Sequence, residues 1–185
     1  MARTYTSQIP LGYQAPDFLL PDPIHGTKLS YEEISGELGT VLMFICNHCP
    51  FVVHVKHAIA SLADDYQSKG IGFVAINSND VINYPQDSPE LMGEFAKEAG
   101  FNFPYLFDES QEVAKAYDAA CTPDFSIFDK DSICVYRGQL DASRPGNDVV
   151  PDAKSIREVL DLLIGLKPVP SEGQIPSIGC NIKWK

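Results

Sequence analysis

The feature that most constrains this chain is a pair of cysteines, three positions apart, at the end of an apolar run. Thr40-Val41-Leu42-Met43-Phe44-Ile45 is short, nearly all apolar and rich in bulky or β-branched residues, the pattern of a buried strand. Cys46-Asn47-His48-Cys49-Pro50 follows at once. Pro50 suits the first turn of a helix, where its missing N–H wastes no donor, and apolar residues then recur at three- and four-residue spacing from Phe51 to Ala63. The two thiols are therefore expected at a strand-to-helix junction, where unpaired backbone N–H groups and the positive end of the helix dipole favour an anion. Thiolate is the reactive form of cysteine, so the position predicts a redox dithiol. His48, directly before the second cysteine, would offer a positive charge or a hydrogen bond to a thiolate and so stabilise the reduced pair.

The flanking patterns predict an α/β chain. Gly70 ends the cysteine helix and Ile71–Asn77 is a second buried strand, which makes a right-handed parallel βαβ unit. Ser88-Pro89-Glu90 opens a helix that Gly100 ends. Phe103–Phe107 is strand-like, and Asp108 with Gln111 reads as a capping pair for a helix from Glu112 to Ala119. Phe125–Phe128 and Ile133–Gly138, joined by a tight turn, form an antiparallel hairpin. Asp152–Leu166 closes the pattern with an amphipathic helix. Ahead of all this, the proline-bounded segment 12–22 reads as an edge strand or wrapping arm, and Ser30–Ile34 as a capped helical turn. Residues 1–168, N-terminal extension included, are expected to form the domain, with 169–185 an irregular C-terminal tail.

Lys and Arg total 14 against 25 Asp and Glu, a net charge of −11 that opposes binding to nucleic acid or to an anionic membrane surface. The N-terminus lacks the apolar core of a signal peptide and no stretch approaches a membrane span, so a cytoplasmic protein is expected. Five cysteines, an odd number, do not suit a secreted disulfide framework. No cofactor is implied.

The order β-α-β, helix, β-hairpin, closing helix, with Cys-x-x-Cys at the first strand-to-helix junction, resembles the thioredoxin arrangement, a central mixed β-sheet flanked by helices. Thr122-Pro123 just before the hairpin strengthens the resemblance. In that fold a cis-proline here packs beside the dithiol and leaves the preceding backbone free to pair with a substrate strand, which makes Thr122 and Pro123 substrate-adjacent. Gly12-x-x-Ala15-Pro16-Asp17-Phe18 and Phe44-Ile45-Cys46-Asn47-His48-Cys49-Pro50 are similar to motifs of the redoxin (AhpC/TSA) superfamily, which includes peroxiredoxins. Cys49 then matches the peroxidatic cysteine, and Cys46 stands where that family has its catalytic threonine. The family's arginine, due near Thr122, is absent. With Ala75–Asp80, Tyr84–Glu90 and Pro176–Lys185 included, nearly the whole chain resembles a thioredoxin-like bacterial subgroup of these proteins with a Cys-x-x-Cys motif. Fold and redox dithiol are what this implies; it brings no substrate.

The expected function is thiol-disulfide exchange: Cys46, taken as the more exposed thiol, attacks a substrate disulfide, Cys49 releases product by forming Cys46–Cys49, and His48 tunes the pair. Partners would be a disulfide-containing protein or small thiol and a thioredoxin-type reductant. One alternative is an antioxidant thiol peroxidase in which Cys49 attacks peroxide and Cys46 or Cys180 resolves it. Another is a metal-binding or non-catalytic module. One helix does not readily turn Cys46, His48, Cys49, His54 and His57 inward together, and no metal site is expected. Cys180 is either a resolving thiol on a flexible tail or a packed residue. Cys121 reads as a buried apolar side chain or a redox thiol, and Cys134 as filler. Asn79, Asp80, Asp87 and Glu90 read as a solvated acidic loop, with a divalent cation as the weaker alternative. By resemblance, Asp124, Arg137 and Arg144 fall near the site.

Overall fold

A computed structural model describes residues 3–7 and 9–185; Met1, Ala2 and Gln8 of the N-terminal extension lie outside the described residues. The apolar run forms the central strand of the main sheet, β4 (Gly39–Phe44), all six of whose residues are buried. It pairs in parallel with β5 (Ile71–Asn77) and antiparallel with β8 (Asp124–Asp129), flanked outside by β6 (Tyr105–Phe107) and β9 (Cys134–Gly138). The strand order is β6-β5-β4-β8-β9, a mixed sheet as expected.

Because strand side chains alternate, β4 feeds two cores. Val41 and Met43 join Ile45 under α2 (Pro50–Tyr66), α3 (Pro89–Ala99) and α5 (Lys154–Ile164). Leu42 and Phe44 pack on the other face with Tyr31, Tyr117 and Phe128. That second face is covered by α1 (Tyr31–Ile34), by α4 (Glu112–Ala116) and by a hairpin of β2 (Leu19–Asp22) with β3 (Thr27–Ser30). A strand covered on both sides reads as a continuous apolar run rather than as alternation, which is why this segment stands out in the sequence. After α1 the chain crosses β5 at backbone contact: a Cβ on Gly72 would lie 2.3 Å from the Ile34 carbonyl oxygen.

Ser30 makes the expected capping box with Glu33, and Gly100 ends α3 in the left-handed conformation at φ 81°. The expected cap of α4 does not form. Gln111 sits at φ 64°, and the Asp108 carboxylate accepts instead from Ala114 N and Ser78 Oγ, both at 2.9 Å. The helix stops at Ala116 rather than Ala119, with Asp118 left-handed at φ 50°.

The larger correction is at the C-terminus, expected to be irregular and flexible. Residues Ile178–Asn181 form β10, which is inserted between β1 (Arg3–Tyr5) and the two-residue β7 (Cys121–Thr122), antiparallel to both. Four residues broken by a glycine carry too little alternation to announce a strand. No helix among the described residues is long and apolar enough to cross a membrane.

Candidate functional site

Cys49 is the N-cap of α2 and Cys46 lies between that cap and the end of β4. Pro50 occupies the first helical position, as its missing N–H allows. Both sulfurs converge on Thr122: Cys46 Sγ is 3.3 Å from Thr122 Oγ1, and Cys49 Sγ is 3.1 Å from the Thr122 carbonyl oxygen. The Thr122–Pro123 peptide is cis. A third sulfur completes the group, Cys180 Sγ of β10, 2.9 Å from Cys49 Sγ. Thr122 and Cys180 thus join the two cysteines in one cluster.

Cys46, expected to be the more exposed thiol, is buried as Cys49 is, so exposure does not single out an attacking sulfur. Cys46 is 1% exposed and Cys49 has no exposed surface, because β7 and β10 close over the end of α2. Their chemistry does divide them, against the expected order of attack. Cys49 is lowered to about 5, first by the hydrogen bond from Cys46, with further donation from Cys180 and from the Val52 N–H in the first helical turn, against the cost of burial. As a thiol Cys49 donates to the Thr122 carbonyl; ionisation gives up that bond for the three donors. Cys46 is raised well above the ordinary cysteine range, because it is the donor to the Cys49 thiolate, because it is buried and because Asp87 is near. Burial and the bond to Cys49 hold Cys180 up at about 12.

Between the cysteines, Asn47 and His48 are clamped by Asp87, which is fully buried. Its Oδ1 accepts from Asn47 N at 2.9 Å and His48 N at 3.2 Å. Its Oδ2 lies 2.6 Å from His48 Nδ1 and accepts from Asn79 Nδ2 at 2.8 Å. The imidazole stacks on Tyr84, 5.8 Å between centroids with ring planes 10° apart, and Tyr105 Oη donates to Asn47 Oδ1 at 3.0 Å. The acidic loop is therefore no solvated face: Asn79, Asp80 and Asp87 are buried, and only Glu90 is exposed. Its role was missed because charge normally marks solvent. The available signal was its position after a buried strand whose polar end, Asn77, donates to the Asp87 carbonyl at 2.7 Å.

Cys46 Sγ, a His48 ring nitrogen and an Asp87 oxygen lie within 4.8 Å of one another, a set of metal-donor types. With Nδ1 of His48 protonated, the Asp87 carboxylate already accepts four N–H donors, so a cation would have to displace them. His54 and His57 do not join this set; His57 Nδ1 is 3.3 Å from the Ala99 carbonyl, and His54 lines a separate small cavity with Pro123 and Leu140.

Arg137 is spent on structure. Its guanidinium donates to the Tyr117 carbonyl at 2.7 Å, to Ser7 Oγ at 2.8 Å and to Tyr13 Oη at 3.2 Å. Arg144 binds Gln139 Oε1 and the carbonyls of Asp141 and Ser143, and Asp124 accepts from Thr6 Oγ1 and Ala120 N. Cys121 and Cys134 are buried, and burial raises both thiols.

A thiol capping the helix that leaves the central strand of a mixed sheet, with an X-Pro peptide packed on it, defines a thioredoxin-like redoxin. The chain belongs to the AhpC/TSA family, whose model matches residues 11–137. It is similar over its whole length to an uncharacterized conserved protein from Geobacillus kaustophilus whose crystal structure superposes with a TM-score of 0.97, at 58% identity, covering 100% of this chain and 97% of that one. Peroxidoxin BcpB from Mycobacterium tuberculosis shares the fold, with a TM-score of 0.63 at 19% identity over 86% of this chain and 99% of that one. The thiol-disulfide oxidoreductase ResA of Halalkalibacterium halodurans is 29% identical over 107 residues, 57% of this chain and 55% of that protein, so the match spans little more than half of that relative.

Proposed function

We propose that the chain is a thiol-disulfide oxidoreductase whose working pair is Cys46 and Cys49, with Cys49 making the attack. The observation that carries this is the position of Cys49 at the N-terminus of α2, where Cys46, Cys180 and the Val52 N–H all stabilise its thiolate. Its similarity to ResA supports the reaction class. The Cys49 thiolate attacks a substrate disulfide and forms a mixed disulfide, releasing one substrate thiol. Cys46 then attacks Cys49 Sγ, the Cys46–Cys49 bond forms, and the second substrate thiol leaves with the proton from Cys46. The sequence-based order of attack is thus reversed. Substrates are disulfide-containing proteins or small thiols, and a thioredoxin-type reductant returns the pair to its thiol form. An odd number of cysteines suits a reducing, cytoplasmic location.

Reduction of insulin disulfides in the presence of dithiothreitol tests the assignment. Cys49→Ser is expected to abolish the acceleration; wild-type activity in that variant would remove Cys49 from the role of nucleophile.

A peroxidase reading shares Cys49 as the ionised thiol, and that shared feature is what favours it. Against it, Cys46 replaces the hydroxyl expected in the motif, and Arg137 donates to Ser7, Tyr13 and Tyr117 instead of facing the thiols. Peroxide-driven sulfenic acid at Cys49, at rates matching disulfide reduction, would overturn the preference for disulfide exchange.

A further inference from the structure

Strand β10 occupies the backbone edge of β7, directly before the cis Thr122–Pro123 peptide. The backbone edge offered by Thr122 and Cys121 is taken up in antiparallel register by Cys180 and Asn181. Cys180 is 3% exposed and its sulfur abuts Cys49, so a polypeptide disulfide reaches Cys49 only when β10 moves aside. The strand also sits unusually deep. A Cβ on Gly179 would fall 2.0 Å from the Thr122 carbonyl oxygen, so a side chain before the cysteine forces the strand off this edge. Beyond β10 a latch holds the tail: Lys183 N donates to Asn79 Oδ1 at 2.8 Å, and its carbonyl accepts from Asp80 N and Gln111 Nε2, each at 2.8 Å.

We propose that β10 is the chain's own copy of the substrate strand: the site takes an extended polypeptide with cysteine directly after glycine, antiparallel to Cys121–Thr122, and Cys180 is a tethered competitor that locks the site as a Cys49–Cys180 disulfide. This rests on the Cys46–Cys49 working pair and adds its substrate class and regulation. The oxidised pair supplies the oxidant. Cys180, as thiolate, attacks Cys49 Sγ; the Cys49–Cys180 bond forms as Cys46–Cys49 breaks, and Cys46 leaves as a thiolate that takes up the proton Cys180 released. One disulfide replaces another. A disulfide needs about 2.05 Å between sulfurs, so from 2.9 Å the bond closes with β10 still in place. The lock then excludes incoming strands until reductant cleaves it.

The test has two arms. Fully reduced protein is treated with one equivalent of oxidised glutathione, alkylated, digested and mapped by mass. A Cys49–Cys180 crosslink with Cys46 alkylated is expected. Cys46–Cys49 as the sole product overturns the lock and leaves the working pair standing, whereas no disulfide at Cys49 at all overturns both. In the second arm, a Gly179→Val, Cys180→Ser double variant, whose added side chain drives β10 off the edge, is offered two synthetic peptides spanning residues 176–184, the native sequence and its G179V form, each as a mixed disulfide with glutathione. The native peptide is expected to be reduced about tenfold faster, equal to about 1.4 kcal/mol. Equal rates would remove the substrate-strand assignment.

Discussion

Nδ1 of His48 lies 2.6 Å from Oδ2 of Asp87, a carboxylate with no exposed surface that also grips the backbone N–H groups of Asn47 and His48. One side chain therefore sets both the turn between the two cysteines and the orientation of the imidazole, and its charge helps keep Cys46 protonated.

Asp87→Asn removes the charge and turns one acceptor into a donor facing N–H groups. A loss of about 1–3 kcal/mol of stability is expected from the mispaired buried groups, read as a lower urea midpoint with unchanged slope. The Cys46 thiol is expected to titrate at lower pH than in the parent, seen in the ultraviolet absorbance of thiolate. A variant as stable as the parent would show that the clamp carries no weight.

The pH dependence has a defined sign. Cys49 is lowered from 9.0 to about 5, so in the parent protein its ultraviolet thiolate absorbance should rise through that lower pH, level off below neutrality and be missing from Cys49→Ser. Between the two values the unfolded chain holds a proton that the folded chain has lost. Stability from this thiol therefore grows as pH rises across the window and disappears as pH falls through about 5. Cys46, shifted upward, acts with the opposite sign and only above its ordinary range. A titration midpoint at an ordinary cysteine value in the parent protein would contradict the assignment of Cys49 as thiolate.

His48 stacks on Tyr84 and is held by Asp87 at the second cysteine, so His48→Ala should weaken stabilisation of the reduced pair. A fall of about 30 mV in reduction potential corresponds to about 1.4 kcal/mol. Equilibration against glutathione buffers measures it, and a potential no lower than the parent's would remove the tuning role.

Gly72 tests the fold away from the thiols. Its Cβ would stand 2.3 Å from the Ile34 carbonyl oxygen and 2.6 Å from Gly36 N, both backbone atoms that cannot rotate away. Gly72→Ala is expected to cost about 3 kcal/mol, visible in chemical denaturation. Parent-like stability would mean that the crossing over β5 is looser than it stands here.

What the sequence determined by itself is whatever depends on neighbours a few residues apart. The apolar run of β4, the proline that starts α2, the tight turn that joins β8 to β9 and the capping box at Ser30 are local patterns, and each appears where the pattern puts it. The pairing of Cys49 with Cys180 joins residues 131 apart, and the grip of Asp87 on His48 joins residues 39 apart. Neither leaves a periodic trace, because a buried carboxylate looks like a surface acid and a four-residue strand like a loop. Only the tertiary structure decided which thiol the helix N-terminus ionises, and that the tail is a strand laid across the site. A thiolate is stabilised by the donors that surround it in space, and here they come from α2, from Cys46 before it and from β10 at the far end of the chain.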